Sequence, residues 1–148
     1  MRLSARSEYG LLALVDLATA PDGAPLASRE LSSTRGLPPA FLDQLLADLR
    51  RAGIVRATRG ARGGFALARD ASAITALEIV EALEGPVAPS VCTPDMCGRE
   101  GGCAAETVWS SVAAAVRDAL SGFTLAELAS EQALLDRAPL TCTPRRSE

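Results

Sequence analysis

LPPAFLDQLLADLRRAGIVRATRGARGGFAL, residues 37–67, changes its periodicity part-way along, and that change decides the fold. Its first part places Phe41, Leu42, Leu45, Leu46 and Leu49 on one face of a helix, with Asp43, Gln44, Ala47 and Asp48 on the other. Pro38-Pro39 suits the opening of that helix and Gly53 its end. From Ile54 the period drops to two. Ile54-Val55-Arg56-Ala57-Thr58 alternates, Arg59-Gly60-Ala61-Arg62-Gly63-Gly64 turns, and Phe65-Ala66-Leu67 returns. A helix that leads directly into a hairpin tipped by glycine and arginine has the form of a recognition helix followed by a wing.

The flanking sequence supplies the rest of such a unit. Ser28 to Arg35 predicts a short helix capped by Ser28 and closed by Gly36, so that it and the next helix form a helix-turn-helix. The second helix of that motif can lie in a DNA major groove. Ser4 to Ala20 predicts a first helix with Tyr9, Leu12, Val15 and Leu17 inward, stopped by Pro21-Asp22-Gly23. Downstream, Thr75 to Glu78 is a capping box that opens a helix through Leu77, Ile79, Val80 and Leu83, and Thr124 to Glu127 repeats the pattern for a short last helix. Between them a longer helix is expected from about Ala104 to Ser121. Its Ala105, Trp109, Val112, Val116 and Ala119 alternate four- and three-residue steps, a seam suited to a second helix or to the chain's own domain. The expected organisation is a winged helix-turn-helix over 1–84, a cysteine loop over 85–103, a dimerisation helix and short C-terminal helix over 104–130, and a tail over 131–148. The fold class is mainly α with a small β wing.

Charge divides the chain in the same place. The net charge is -3, yet residues 1–70 hold ten arginines against seven acids, and residues 71–148 hold five against eleven. Arg50, Arg51, Arg56, Arg59, Arg62 and Arg69 follow one another with no acid before Asp70. A run of this kind is commonly a solvated face; behind a helix-turn-helix and on a wing it suits a phosphate backbone or a narrow minor groove. There is no histidine and no lysine. That excludes histidine metal ligation, Ser-His-Asp triads, Schiff-base chemistry and a Walker phosphate loop. No apolar stretch approaches the ~20 residues of a membrane span, and MRLSARSEYG has no signal-peptide core, so a cytoplasmic protein is expected.

Three of the four cysteines lie in CTPDMCGREGGCAAE, residues 92–106, spaced C-x4-C-x5-C. In a reducing compartment such a cluster is more often a metal or redox site than a disulfide framework.

Taken together, MRLSARSEYG, the 37–67 segment, ITALEIVEALEG, the triple-cysteine loop and FTLAELA resemble the Rrf2 family, the dimeric winged-helix iron-sulfur regulators of bacteria. The resemblance covers nearly the whole chain. It implies a homodimer that binds an operator in double-stranded DNA, and a regulator, expected to be a repressor, that answers iron or iron-sulfur status, redox state or a reactive gas. No enzymatic activity is expected. Thiolates are the usual ligands of iron-sulfur clusters, and a Gly- and Pro-rich loop can wrap several round one core, so Cys92, Cys97 and Cys103 are the expected ligands of a 2Fe-2S or 4Fe-4S cluster. Cys142 stands on the expected tail and is not counted. For the fourth ligand the resemblance points to Glu8, where relatives place an acid that reaches the cluster from the partner subunit. The alternative is Glu106, where one branch of the family carries a histidine. Without a metal, Glu106 suits the first turn of its helix and Glu8 suits solvent or a pairing with Arg2 or Arg6. Three cysteines and a carboxylate could also hold zinc, and a thiol redox enzyme is a further alternative, although there is no C-x-x-C and no adjacent base. By the same resemblance Ala40, Asp43 and Gln44 face the bases and Arg59 with Gly60 forms the wing tip, to which the basic run adds Arg56 and Arg62. Gln44 could pair with an adenine, Asp43 could accept from a cytosine amino group, and Ala40 offers only apolar contact with a thymine methyl where relatives carry Ser or Thr.

Overall fold

Leu42, Leu45, Leu46 and Leu49 are completely buried, and the rest of the molecule is arranged round them. The computed structural model describes residues 4–60, 63–88 and 104–137. Its elements run α1 (Ala5–Thr19), α2 (Ser28–Arg35), α3 (Pro39–Arg51), β1 (Val55–Thr58), β2 (Gly64–Leu67), α4 (Ala76–Glu84), α5 (Ala104–Ser121) and α6 (Leu125–Arg137), with 3-10 turns at Pro21–Gly23 and Ala71–Ala73. This is the mainly α winged helix expected from the periodicities. Leu14, Leu31, Ile54, Ile74, Ile79 and Leu125 close round the α3 leucines. Burying each such side chain contributes about 1.5–3 kcal/mol, which holds the exposed side of α3 at a fixed angle to the body.

The C-terminal helix departs from expectation. Leu125 is fully buried in the same core as the helix-turn-helix, and α6 packs along α1, so this helix is part of the winged-helix body. It also continues to Arg137, beyond residue 130, where the sequence places the start of a tail. Glu131, Gln132 and Asp136 interrupt its apolar stripe without interrupting the helix, and the Gln132 amide donates to Asp136 one turn on, at 2.7 Å.

Helix α1 buries Val15 and Leu17 as expected but only partly buries Tyr9 and Leu12. Its buried positions are Ser7, Gly10, Ala13, Leu14, Val15 and Leu17, while Tyr9 is half-buried edge-on to Phe41 and Leu12 lies at the margin. At Gly10 an added Cβ would stand 2.3 Å from Leu83 Cδ1, so the Leu83 side chain packs directly on the bare backbone of α1 and would have to shift to admit a larger residue.

Helix α2 begins after Ala27, and no side chain caps it, so Ser28 is not the cap. Its hydroxyl donates to Asp43 instead. The reason is a pairing that local patterns do not reveal. Leu26 forms an antiparallel bridge with Phe65, the two amides donating at 2.9 and 2.8 Å, which keeps the backbone extended up to Ala27. The wing is therefore tied to the α1–α2 linker. Gly64 is the first residue of β2 rather than part of the turn, and a Cβ there would lie 2.3 Å from the Leu26 carbonyl oxygen.

Both capping boxes form. The Thr75 and Glu78 side chains and backbone amides bond reciprocally, and Thr124 with Glu127 does the same. The two helix starts are stitched together by Ala76 N–H to Phe123 O at 2.9 Å and Leu125 N–H to Ile74 O at 2.8 Å. The stitch leaves the far end of α4 to lead into residues 85–103.

Candidate nucleic-acid interface

Ala40, Asp43 and Gln44 are all exposed and lie at i, i+3 and i+4, hence on one side of α3 opposite the buried leucines. The structure brings this trio together as a row. Asp43 accepts a hydrogen bond from the Ser28 hydroxyl, which anchors its carboxylate to the first turn of α2.

Beside the row stands the hairpin, with register Val55–Leu67, Arg56–Ala66, Ala57–Phe65 and Thr58–Gly64. Arg59 and Gly60 occupy its exposed tip. The Gly63 amide closes the turn onto the Gly60 carbonyl at 2.9 Å, and the Gly60 φ of 113° is open to glycine and strained for other residues. Arg56 is exposed on β1, with Nε bonded to the Leu67 carbonyl at 3.2 Å, so its guanidinium is steadied by the sheet. Arg62 lies outside the described residues. The basic run thus separates into two groups. Arg69 is engaged internally, with the Ala73 carbonyl at 2.6 Å and Glu78 at 2.7 Å, and it holds the Glu78 carboxyl below the usual carboxylate range, aided by the Thr75 amide. Arg51 pairs with Asp48. Arg50, Arg56 and Arg59 are exposed and enter no ion pair among the described residues.

Cys92, Cys97, Cys103 and Cys142 lie outside the described residues; the structure does place the helices that flank the three-cysteine segment. Helix α4 ends at Glu84, followed by Gly85 at φ 87°, and α5 starts at Ala104. Glu106 is half-buried in the first turn of α5, and Glu8 is exposed in the first turn of α1. Arg6 does not pair with Glu8. It turns to Asp48 of α3 and to the Leu83 carbonyl, a geometry with no local signature because Asp48 lies far along the chain. Three thiols in one segment, with carboxylates in the first turns of α1 and α5, are a donor set suited to an iron-sulfur cluster. Helix α5 lies along α4, joined to it by an Arg117–Glu81 ion pair, yet leaves Val108, Trp109 and Val112 43–57% exposed. The apolar seam is not consumed by the chain's own domain.

Residues 3–131 match the Rrf2 family, described as an iron-dependent transcriptional regulator. The chain belongs to the Rrf2 family. It is 33% identical over 146 residues to the protein rrf2 of Nitratidesulfovibrio vulgaris, covering 97% of each chain. Among solved structures it is similar to CymR, the global cysteine regulator of B. subtilis, with TM-score 0.74 and 34% identity over 88% of this chain and 98% of that one. It is similar also to T. potens IscR, with TM-score 0.78 and 29% identity over 94% and 93%. As an Rrf2-family member the protein is a winged-helix, DNA-binding transcriptional regulator and not an enzyme. No helix among the described residues is long and apolar enough to cross a membrane.

Proposed function

We propose that this Rrf2-family protein is a cytoplasmic homodimeric repressor whose operator affinity follows the state of an iron-sulfur cluster, 2Fe-2S or 4Fe-4S, held by Cys92, Cys97 and Cys103. The observation that carries the reading is the position of three cysteines within twelve residues, between the end of α4 and the start of α5. When bound, the cluster supplies redox and ligand-exchange chemistry that thiols alone lack. The partner subunit's Glu8 completes the set, and Glu106 is the alternative. A carboxylate is a hard, weak ligand beside three soft thiolates, which suits a site that must be altered or emptied by its signal. The likeness to the B. subtilis global cysteine regulator favours a second reading, in which the thiols answer cysteine or redox state with no metal. Anaerobic purification separates these. Visible absorbance with iron and sulfide supports the cluster; a colourless protein holding zinc, or no metal, overturns it in favour of a zinc site or the thiol reading.

The DNA half of the proposal assigns direct reading to the α3 row and phosphate contact to the wing. Gln44→Ala is expected to relax preference at one base pair by about 1–3 kcal/mol, since an exposed amide at this position can make a bidentate pair with adenine. Unchanged discrimination in a binding-site selection removes Gln44 from the readers. Arg59→Ala is expected to weaken binding to all sequences alike and to lower the salt slope by about one, because the tip arginine neutralises a phosphate. If affinity measured from low to high salt retains the wild-type slope, the wing tip does not touch the backbone.

A further inference from the structure

We propose that Arg6 is a positioning residue that transmits the state of the segment following α4 to the recognition helix α3; this rests on the reading that the segment holds the cluster. Three side chains from the start of α1 grip the end of α4. Ser4 and Ser7 both donate to the Glu84 carboxylate, Ser7 at 2.7 Å, and Arg6 Nε donates to the Leu83 carbonyl at 3.3 Å. These hydroxyls hold the Glu84 carboxyl below the usual carboxylate range, Ser4 most strongly. The Leu83 carbonyl is among the last four of the helix, which have no partner within it, so Arg6 fills a vacant acceptor. One turn on, Gly10 packs directly against the Leu83 side chain, which adds an apolar contact to the polar grip between the start of α1 and the end of α4.

The same Arg6 reaches beyond that grip. Its Nη2 pairs with Asp48 of α3, whose other carboxylate oxygen takes Arg51. Asp48 is 18% exposed and Arg6 34%, so the pair is partly buried. A guanidinium is planar and its donors point in fixed directions, so one group can serve the α4 carbonyl and the α3 carboxylate only while the two keep their spacing. Displacement of the end of α4 must break one bond or carry α3 with it. Glu8, proposed as a ligand, lies two residues beyond Arg6 on the same helix, and the first cysteine follows soon after α4. A change at this chain's cluster therefore acts on the α4 anchor of the fork, a change at the partner's cluster acts on α1 through Glu8, and α3 is tied through Arg6 to both.

The test compares operator affinity with and without cluster, at one salt concentration, in wild type, Arg6→Gln, Arg6→Lys and Asp48→Asn, with visible spectra and thermal melting as controls. Wild type is expected to show a difference of about 5–150-fold. Arg6→Gln and Asp48→Asn are expected to reduce it to under about twofold with the cluster spectrum unchanged, and Arg6→Lys, which keeps the charge and loses the fork, is expected to restore it only in part. Amide exchange in α3 gives a readout independent of DNA: protection should change on cluster loss in wild type and not in Arg6→Gln. A full wild-type difference retained in both Arg6→Gln and Asp48→Asn overturns the proposal and leaves the sensor reading standing. No difference in wild type overturns both.

Discussion

Trp109→Asp combined with Val112→Asp is expected to yield a folded monomer whose operator affinity is lower by about 10²–10⁴-fold. Trp109 and Val112 are 53% and 43% exposed on α5, an amount of apolar surface that a helix already docked on α4 does not require. If a second copy covers them, each aspartate places a carboxylate in the seam, at a cost of several kcal/mol unless it finds a partner. The recognition helices would then bind half-sites separately, without the effective concentration that linkage provides. Sedimentation and DNA titration measure the two effects. Circular dichroism should remain that of the wild type, because neither side chain belongs to the core of Leu42, Leu45 and Leu125. A variant that remains dimeric shows that the interface lies elsewhere.

Cys97→Ala is expected to abolish the visible spectrum and to hold the protein in one DNA-binding mode, separated from the clustered form by about 5–150-fold in operator affinity. Removing one of three thiolates leaves two soft ligands and a weak carboxylate, too few to retain a cluster. The fold itself should persist, since among the described residues the core is assembled from side chains of α1 to α4, β1 and α6. Equal affinities for the holo, apo and Cys97→Ala forms would mean that no cluster controls DNA binding, and the sensor reading would be abandoned. Glu8→Ala, by contrast, should keep a cluster with altered spectrum and stability.

The elements legible in the sequence are those whose signals are local. The α3 leucine stripe, the period-two strands of the wing and the reciprocal Thr75–Glu78 and Thr124–Glu127 boxes each depend on residues within a few positions of one another, and each forms, the strand bounds shifted by one residue at Val55 and Gly64. Gln44 and Ala40 are exposed on α3 for the same reason: with the leucines buried, helical geometry determines where the other residues lie. The spacing of Cys92, Cys97 and Cys103 is local too, and by residue type alone it carries the cluster proposal.

Tertiary structure decided whatever joins residues distant along the chain. Ser28 reads as a helix cap until Leu26 pairs with Phe65, whereupon the backbone stays extended to Ala27 and the serine is released to hold Asp43. Gly64 reads as a glycine of the wing turn until the Leu26 carbonyl comes within the space a Cβ would occupy, and the close contact of Gly10 with Leu83 has no local signature. Helix α6 reads as an appendage until Leu125 enters the core, and Arg6 reads as one of two arginines that could pair with Glu8 until the fold brings Asp48 and the end of α4 to it. Local spacing defines which face an element shows, but which face it meets depends on closing loops of tens of residues, and that closure is decided by burial of the whole core together.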